Sequence, residues 1–425
     1  MSKSLAAACR RILDDVWNTE SHSAALELIP ADFSIGDAFV PSGRRGPLPL
    51  LDLLHLYKAC VPDLTFSVRR QVIARGAVVT FWSAKGRYTC RALGQARLGR
   101  EIHLEGVFVS GATPAGRIRI LENHWDCGTF ISSIGASAEE FMKALRPSSN
   151  EIRIRALPGR PDTPLVLFPT LSLPGWIGWR RFLRDHRTES ARVTFQLLGN
   201  RWALEGHGRI EDYSVRKETL AIEACFEKTQ LSGPFDVVAH SAGGCYALDF
   251  ALRNPSSIRT LTLIEPSLAW VLRDAGALDA DLRAYIARRM RHYHADITEK
   301  QYARFIQETM AINTSVDPRK SPYWPDVAAY RENMKFRPAI YRHRDRVARL
   351  KDIRFPVLLV GGRHSDRFHR RVIEILESLI PQSRSIVMRG GHAPHLGPGM
   401  IPFMRHLSRF LAQAPKPARN SRFPS

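Results

Sequence analysis

The sequence predicts two domains of different architecture: an N-terminal α+β cone built on a curved antiparallel sheet, and a C-terminal α/β unit. The second has a mostly parallel sheet, helices on both faces and an inserted helical cap. Three observations carry this prediction. Strand-like runs with a period of two crowd together before residue 135. After residue 153, apolar runs alternate with helical stretches. At FDVVAHSAGGCYALDFAL, residues 235–252, an apolar run stops abruptly at Ser241 and an alanine-rich helical pattern begins. A chain of 425 residues also exceeds one typical domain.

The first stretch, 1–135, opens with helical patterns, MSKSLAAACRRILDDVW among them, whose early acidic residues make an amphipathic helix the expectation over a secretory signal. LTFSVRRQVIAR, AVVTFWSA, GRYTCRAL, REIHLEGVFVS and GRIRILENHWD follow as strands, with turns expected at Arg75-Gly76 and Lys85-Gly86. Small polar residues and a proline in 136–152 mark a linker. From 153 to 412, PLVLF, RVTFQLL, FDVVAH, RTLTLIE and PVLLVGG read as strands of a parallel sheet. The interval of about 267–350 lacks a strong strand and carries Arg-rich helical segments; a structureless loop of that length is out of keeping with a compact domain. The basic, proline-rich end, 413–425, is expected to be disordered.

Composition narrows the function classes. The charge, 62 Lys and Arg against 41 Asp and Glu, is +21, and most of the excess falls after residue 140 in segments such as ARRMRHYH and YRHRDRVARLK. Nucleic-acid motifs do not accompany it, so a solvated basic surface is favoured over a nucleic-acid partner, with attraction of an anionic substrate as a third reading. Uncharged apolar runs of membrane-spanning length are missing, and no membrane partner is expected. Six cysteines without C-x-x-C or Cys/His metal spacing make a reducing cytoplasm the default, with no metal. The lack of a P-loop or a G-x-G-x-x-G after a strand leaves no cofactor expected.

Chemistry is expected at Ser241. Small residues flank it in Ala239-His240-Ser241-Ala242-Gly243, the pattern of a strained strand-to-helix turn that projects a serine hydroxyl from the top of a parallel sheet. Serine at its free pKa is a weak nucleophile, so a base within hydrogen-bond reach must take its proton.

Two resemblances cover most of the chain. VWN in a helix, VPDLTFSV, a Gly-Arg before a strand and GRIRILENHWD are together similar to SnoaL-like members of the NTF2-like superfamily over the first 135 residues. That resemblance implies a small-molecule pocket inside a cone, with Asp126 as acid or base and His103 and His124 as companions. It also leaves a homodimer through the N-terminal domain open.

AHSAGG after a strand, LTLIEPS, FPVLLVGGRHSD and RGGHAPHLGPGMIPFMRHLSRFL make residues 150–412 resemble the cap-bearing α/β-hydrolase superfamily. The resemblance implies nucleophile, acid and histidine in that chain order. Ser241 is then the nucleophile and His392 the base, with His395 as fallback. The acid is Asp366, one residue later than the usual spacing from Gly362, or Glu265, at the end of the strand after the nucleophile. The Ala242 amide supplies one oxyanion donor, and Leu171 the second, because Pro169-Thr170 replaces the usual His-Gly. Tyr323, Trp324 and Trp270 would shape a cap pocket for a small-molecule substrate. These features imply a serine hydrolase acting on an ester or related acyl group. The displaced acid and the missing His-Gly keep a second reading open, a catalytically weak or inactive small-molecule binding protein on the same folds.

Overall fold

The computed structural model describes residues 2–19, 22–30, 32–37, 50, 53–54, 57–58, 60–74, 76–89, 99–113, 117–137, 139, 152–157, 159–205, 210–291, 293, 297–309, 317–321 and 324–415. The chain divides near residue 158 into two compact units. Most of the expected linker, 136–152, lies outside the described residues, as do 416–425 of the expected tail.

In the first unit, β1 (Ser34–Gly36), β2 (Thr65–Ala74), β3 (Ala77–Arg87), β4 (Glu101–Ala112) and β5 (Ile118–Trp125) form a sheet in the order β1-β5-β4-β3-β2. Apart from the parallel β1–β5 pair, neighbours run antiparallel. Helix Ser2–Arg11 continues as a π-helical stretch, Ile12–Asn18. The VWN motif has a clear structural purpose. Trp17 is fully buried, with its ring 4.7 Å from Phe66 and 5.5 Å from Phe108. Asn18 clamps the backbone of Phe66 from both sides: its side-chain amide donates to the Phe66 carbonyl at 2.9 Å, and its side-chain oxygen accepts the Phe66 N–H at 2.7 Å. The Lys85-Gly86 turn is corrected, since β3 runs straight through it. Gly86 is small there for another reason: a Cβ would meet Val61 at 2.5 Å.

The second sheet adds β6 (Arg153–Leu157), β7 (Arg160–Phe168), β8 (Ser190–Gln196), β9 (Phe235–His240), β10 (Ile258–Ile264), β11 (Val357–Gly362) and β12 (Ser383–Met388). Its order is β12-β11-β10-β9-β7-β8-β6, and the pairs from β8 to β12 are all parallel. Every residue of β9 and β11 is buried, as expected of strands covered on both faces. Helices Val215–Lys228, Ala242–Arg253, Arg367–Leu379 and Met400–Gln413 connect or follow these strands. Between β10 and β11 the described segments are helical, including Ala269–Asp274, Ala280–Met290, Glu299–Thr309 and Pro338–Arg342. Among the described residues no helix is long and apolar enough to cross a membrane.

Candidate active site

Strand β9 ends at His240, and the chain turns into helix Ala242–Arg253 through Ser241 at φ 54° and ψ −121°. A non-glycine residue seldom adopts this backbone, and it persists only where its surroundings impose it. Here the strand ends impose it. The Ser241 N–H donates to the Ile264 carbonyl at 3.0 Å, and the Ser267 N–H donates to the Ser241 carbonyl at 3.0 Å. The small residues after Ser241 also have a reason: a Cβ on Gly243 would lie 2.6 Å from the Pro169 carbonyl oxygen, so the helix start packs directly on the end of β7.

Ser241 Oγ lies 2.8 Å from His392 Nε2, although 151 positions separate the two residues. His392 is 3 % exposed, and burial pushes its pKa well below 6.5; positive charge at His369, Arg289 and Arg337 adds to this, and Asp366 opposes it. The imidazole is therefore neutral at neutral pH, the form that accepts a proton. Its loop is held by His240, whose Nε2–H donates to the His392 carbonyl at 2.9 Å. Ser267 brings a second hydroxyl 3.4 Å from Ser241 Oγ. Neither His240 nor Ser267 was singled out from sequence, though both flank residues that were.

The structure separates the two acids. Glu265, fully buried with φ 45°, puts Oε2 at 3.6 Å from His392 Nδ1, within ion-pair reach and longer than a hydrogen bond. Its carboxylate is fixed by the Gly362 N–H, which donates to Oε1 at 2.6 Å, and by the Ser365 hydroxyl, which donates to Oε2. Burial raises its pKa, while His369, Ser365 and Gly362 pull it back. Asp366 is occupied elsewhere. It caps helix Arg367–Leu379 by accepting the His369 N–H at 3.0 Å, lies 2.9 Å from His369 Nδ1, and accepts the Tyr285 hydroxyl at 2.7 Å. Burial raises its pKa, but the charge and hydrogen bonds of His369 outweigh this and hold it well below the usual carboxylate range.

His369, also missed from sequence, stands between the two acids. Its Nδ1 is 3.7 Å from Glu265 Oε2, and its ring centroid is 4.2 Å from that of His392. Donor atoms of Glu265, His369 and His392 lie within 4.8 Å of one another, as do those of Asp249, His343 and Asp345, so either trio has the spacing to hold a metal ion.

Ala242 is the first residue of its helix, so its N–H has no acceptor within that helix. Leu171 is fully buried on the loop after β7, and its carbonyl accepts from Asn200 Nδ2 at 2.6 Å. The fallback histidine, His395, packs its ring 4.4 Å from His240 and 5.3 Å from Trp179. Of the expected cap aromatics, Trp270 and Trp324 are buried, while Tyr323 lies outside the described residues.

In the first unit, Asp126 caps helix Cys127–Ile134, accepting the Thr129 N–H at 2.8 Å. Hydrogen bonds from Thr129 lower its pKa, the opposite of what a general acid needs at neutral pH. His103 and His124 lie on exposed strand positions, 3.5 Å from Glu101 and Glu122 respectively. A carboxylate that the sequence did not single out, Asp37, accepts there from Asn123 Nδ2 at 2.5 Å and Trp125 Nε1 at 3.3 Å.

Comparison with known proteins agrees with both units. Residues 132–399 match the alpha/beta hydrolase family, and residues 7–128 match the SnoaL-like polyketide cyclases. The chain belongs to the alpha/beta hydrolase family, with an N-terminal SnoaL-like domain fused ahead of the hydrolase.

Among its relatives is a pimeloyl-[acyl-carrier protein] methyl ester esterase of Yersinia pseudotuberculosis, 24% identical over 204 residues, 45% of this chain and 75% of the relative. The Neisseria meningitidis protein of the same name is 28% identical over 212 residues, 49% of this chain and 78% of that protein. In solved structures, the esterase EaEST from Exiguobacterium antarcticum shares the hydrolase fold at 15% identity and a TM-score of 0.51, covering 62% of this chain and 96% of its own.

Proposed function

We propose that the enzyme cleaves carboxylic esters, or closely related acyl substrates, through an acyl-enzyme on Ser241. The observation that carries this is the 2.8 Å approach of His392 Nε2 to Ser241 Oγ at a strained strand-to-helix turn. The Ser241 hydroxyl donates its proton to Nε2 as Oγ bonds to the substrate carbonyl carbon. The carbonyl oxygen becomes an oxyanion, held by the Ala242 and Leu171 amides. On collapse, the carbon–oxygen bond to the alcohol breaks, and the alcohol takes the proton from Nε2. Water then repeats the sequence on the acyl-enzyme, releasing the acid and restoring Ser241.

Glu265 serves as the acid in this reading. With Nε2 facing the serine, Nδ1 carries the proton toward Glu265 Oε2, and the developing imidazolium is stabilised by that carboxylate. A 3.6 Å contact is consistent with the role, because catalytic hydrogen bonds commonly tighten when substrate is bound. The methyl ester esterases among the relatives support an ester as the bond. The helical segment between β10 and β11 acts as the cap, with Trp270 and Trp324 among its buried aromatics. The SnoaL-like domain holds a small molecule in a partly polar hollow lined by Glu101, His103, Leu104, Trp125, Asp126 and Phe130 among others.

Turnover of para-nitrophenyl esters tests the proposal. The wild-type chain hydrolyses them, and Ser241→Ala falls to the rate in buffer; equal turnover by the two proteins refutes the assignment.

A further inference from the structure

Arg337 begins helix Pro338–Arg342 in the segment between β10 and β11, and it is only 8 % exposed. An ionised guanidinium removed from water needs a full set of partners, normally a carboxylate. Arg337 has none in ion-pair range among the described residues. Its Nη2 donates to the Ser172 hydroxyl, its guanidinium stacks 5.0 Å over the Phe305 ring, and its buried Nε has no hydrogen-bond partner. The local charge makes this more costly. Arg289, also buried, lies 5.5 Å from the centroid of the same Phe305 ring, so two guanidiniums approach one aromatic side chain.

The position of this unpaired cation gives it a purpose. Ser172 directly follows Leu171, the proposed oxyanion donor, so Arg337 is anchored to the same loop. Its charge also acts on His392, the partner of Ser241, and on His240, which precedes Ser241 in the chain. The groups facing it, Ser172 and Phe305, hold the guanidinium in place without neutralising it. An anionic group on the substrate would complete its coordination, in a charge-assisted contact favoured by a site that excludes water.

We propose that Arg337 is a specificity residue and that the natural substrates are esters carrying a carboxylate, which pairs with its guanidinium while the ester carbonyl sits at Ser241. This inference rests on the ester-hydrolase reading and adds the substrate class. The Arg-rich segment around it, which the hydrolase chemistry alone leaves unexplained, then draws such anions toward the site.

The test uses para-nitrophenyl hemiglutarate and para-nitrophenyl pentanoate, which share a five-carbon acyl chain and differ in the terminal carboxylate. In the wild type, kcat/KM for the charged ester exceeds that for the neutral one by at least about 10-fold, and Arg337→Met removes most of that ratio. Binding to the full-length Ser241→Ala chain, followed by equilibrium dialysis, shows the same preference, and Ser241→Ala/Arg337→Met loses it. No preference in the wild type, or a preference that survives Arg337→Met, overturns the proposal. So does an equal loss for both esters, which would make Arg337 a support of the oxyanion. If Arg337→Met does not fold, Arg337→Gln takes its place in both assays with the same outcomes. Failure of the hydrolase reading looks different: turnover is absent or independent of Ser241, while dialysis still reports the preference.

Discussion

Replacing Glu265 with Gln removes one charge and keeps the shape. The Gln side-chain oxygen can still accept from the Gly362 N–H, and the Ser365 hydroxyl can turn to accept from the new amide. What disappears is the attraction between the carboxylate and the imidazolium formed at His392 during attack. At an effective dielectric constant of about 20, unit charges 3.6 Å apart attract by roughly 4 to 5 kcal/mol. Because that attraction exists only once the proton has moved, it counts almost wholly in the transition state, and its loss corresponds to about 1000-fold in rate. Asp366→Asn is the contrast. Asp366 caps a helix and bonds His369 and Tyr285, so its loss costs about 1 kcal/mol of stability and no more than roughly 10-fold in rate. Initial rates on para-nitrophenyl pentanoate, with urea unfolding curves to show that each variant is folded, measure both. A 1000-fold loss in Asp366→Asn with a small loss in Glu265→Gln would refute the assignment of the acid.

Three further outcomes are expected. Neutral His392 is the active form and its pKa is lowered, so kcat/KM holds as pH falls past 6.5 and declines only below it; His369→Asn, by removing a positive neighbour, moves that limb to higher pH, and an unmoved limb would contradict the charge coupling. Glu218 is buried with its pKa raised to about 7 from 4.5, so the folded state keeps a proton that the unfolded state has lost between those values. Stability therefore falls by roughly 3 kcal/mol as pH rises from about 4.5 to 7, and Glu218→Gln flattens this slope; parallel slopes in urea titrations across that range would refute it. Asn18→Ala breaks two part-buried hydrogen bonds to Phe66 and costs about 1 to 3 kcal/mol in urea unfolding of the N-terminal unit. A change within error would show that the clamp is not stabilising.

Features encoded locally were legible in the sequence. The strained turn at Ser241 could be read because its requirements are local: a buried strand, a serine, and small residues where Pro169 leaves no room for a Cβ. The alternation of apolar and helical runs exposed the parallel sheet for the same reason. The acid was not legible to that degree. Choosing between Glu265 and Asp366 depends on which way each side chain turns, and that depends on partners 81 to 100 positions away, Ser365 and Gly362 for one and Tyr285 for the other. One local signal did exist. Asp366 directly precedes an amphipathic helical run, the place of a helix cap, which argues for a structural use of its carboxylate.

Other differences between sequence and structure have similar causes. Lys85-Gly86 looked like a turn because glycine commonly marks one, yet this glycine makes room for Val61 beside a continuous strand. Asp126 matched the family's acid by position along the last long strand. The strand ends one residue earlier, so its carboxylate caps the next helix in solvent. Arg337 and His369 had no signal at all: an arginine in a basic segment and a histidine on an amphipathic helix acquire meaning only from what they are buried against.

The central claim, that Ser241 is a nucleophile activated by His392, is tested most directly by a fluorophosphonate probe with the modified residue mapped by peptide mass spectrometry. The account predicts one adduct per chain, on Ser241, absent in Ser241→Ala and formed far more slowly in His392→Ala. An unmodified wild-type chain, or an adduct that maps elsewhere and persists in Ser241→Ala, would contradict it.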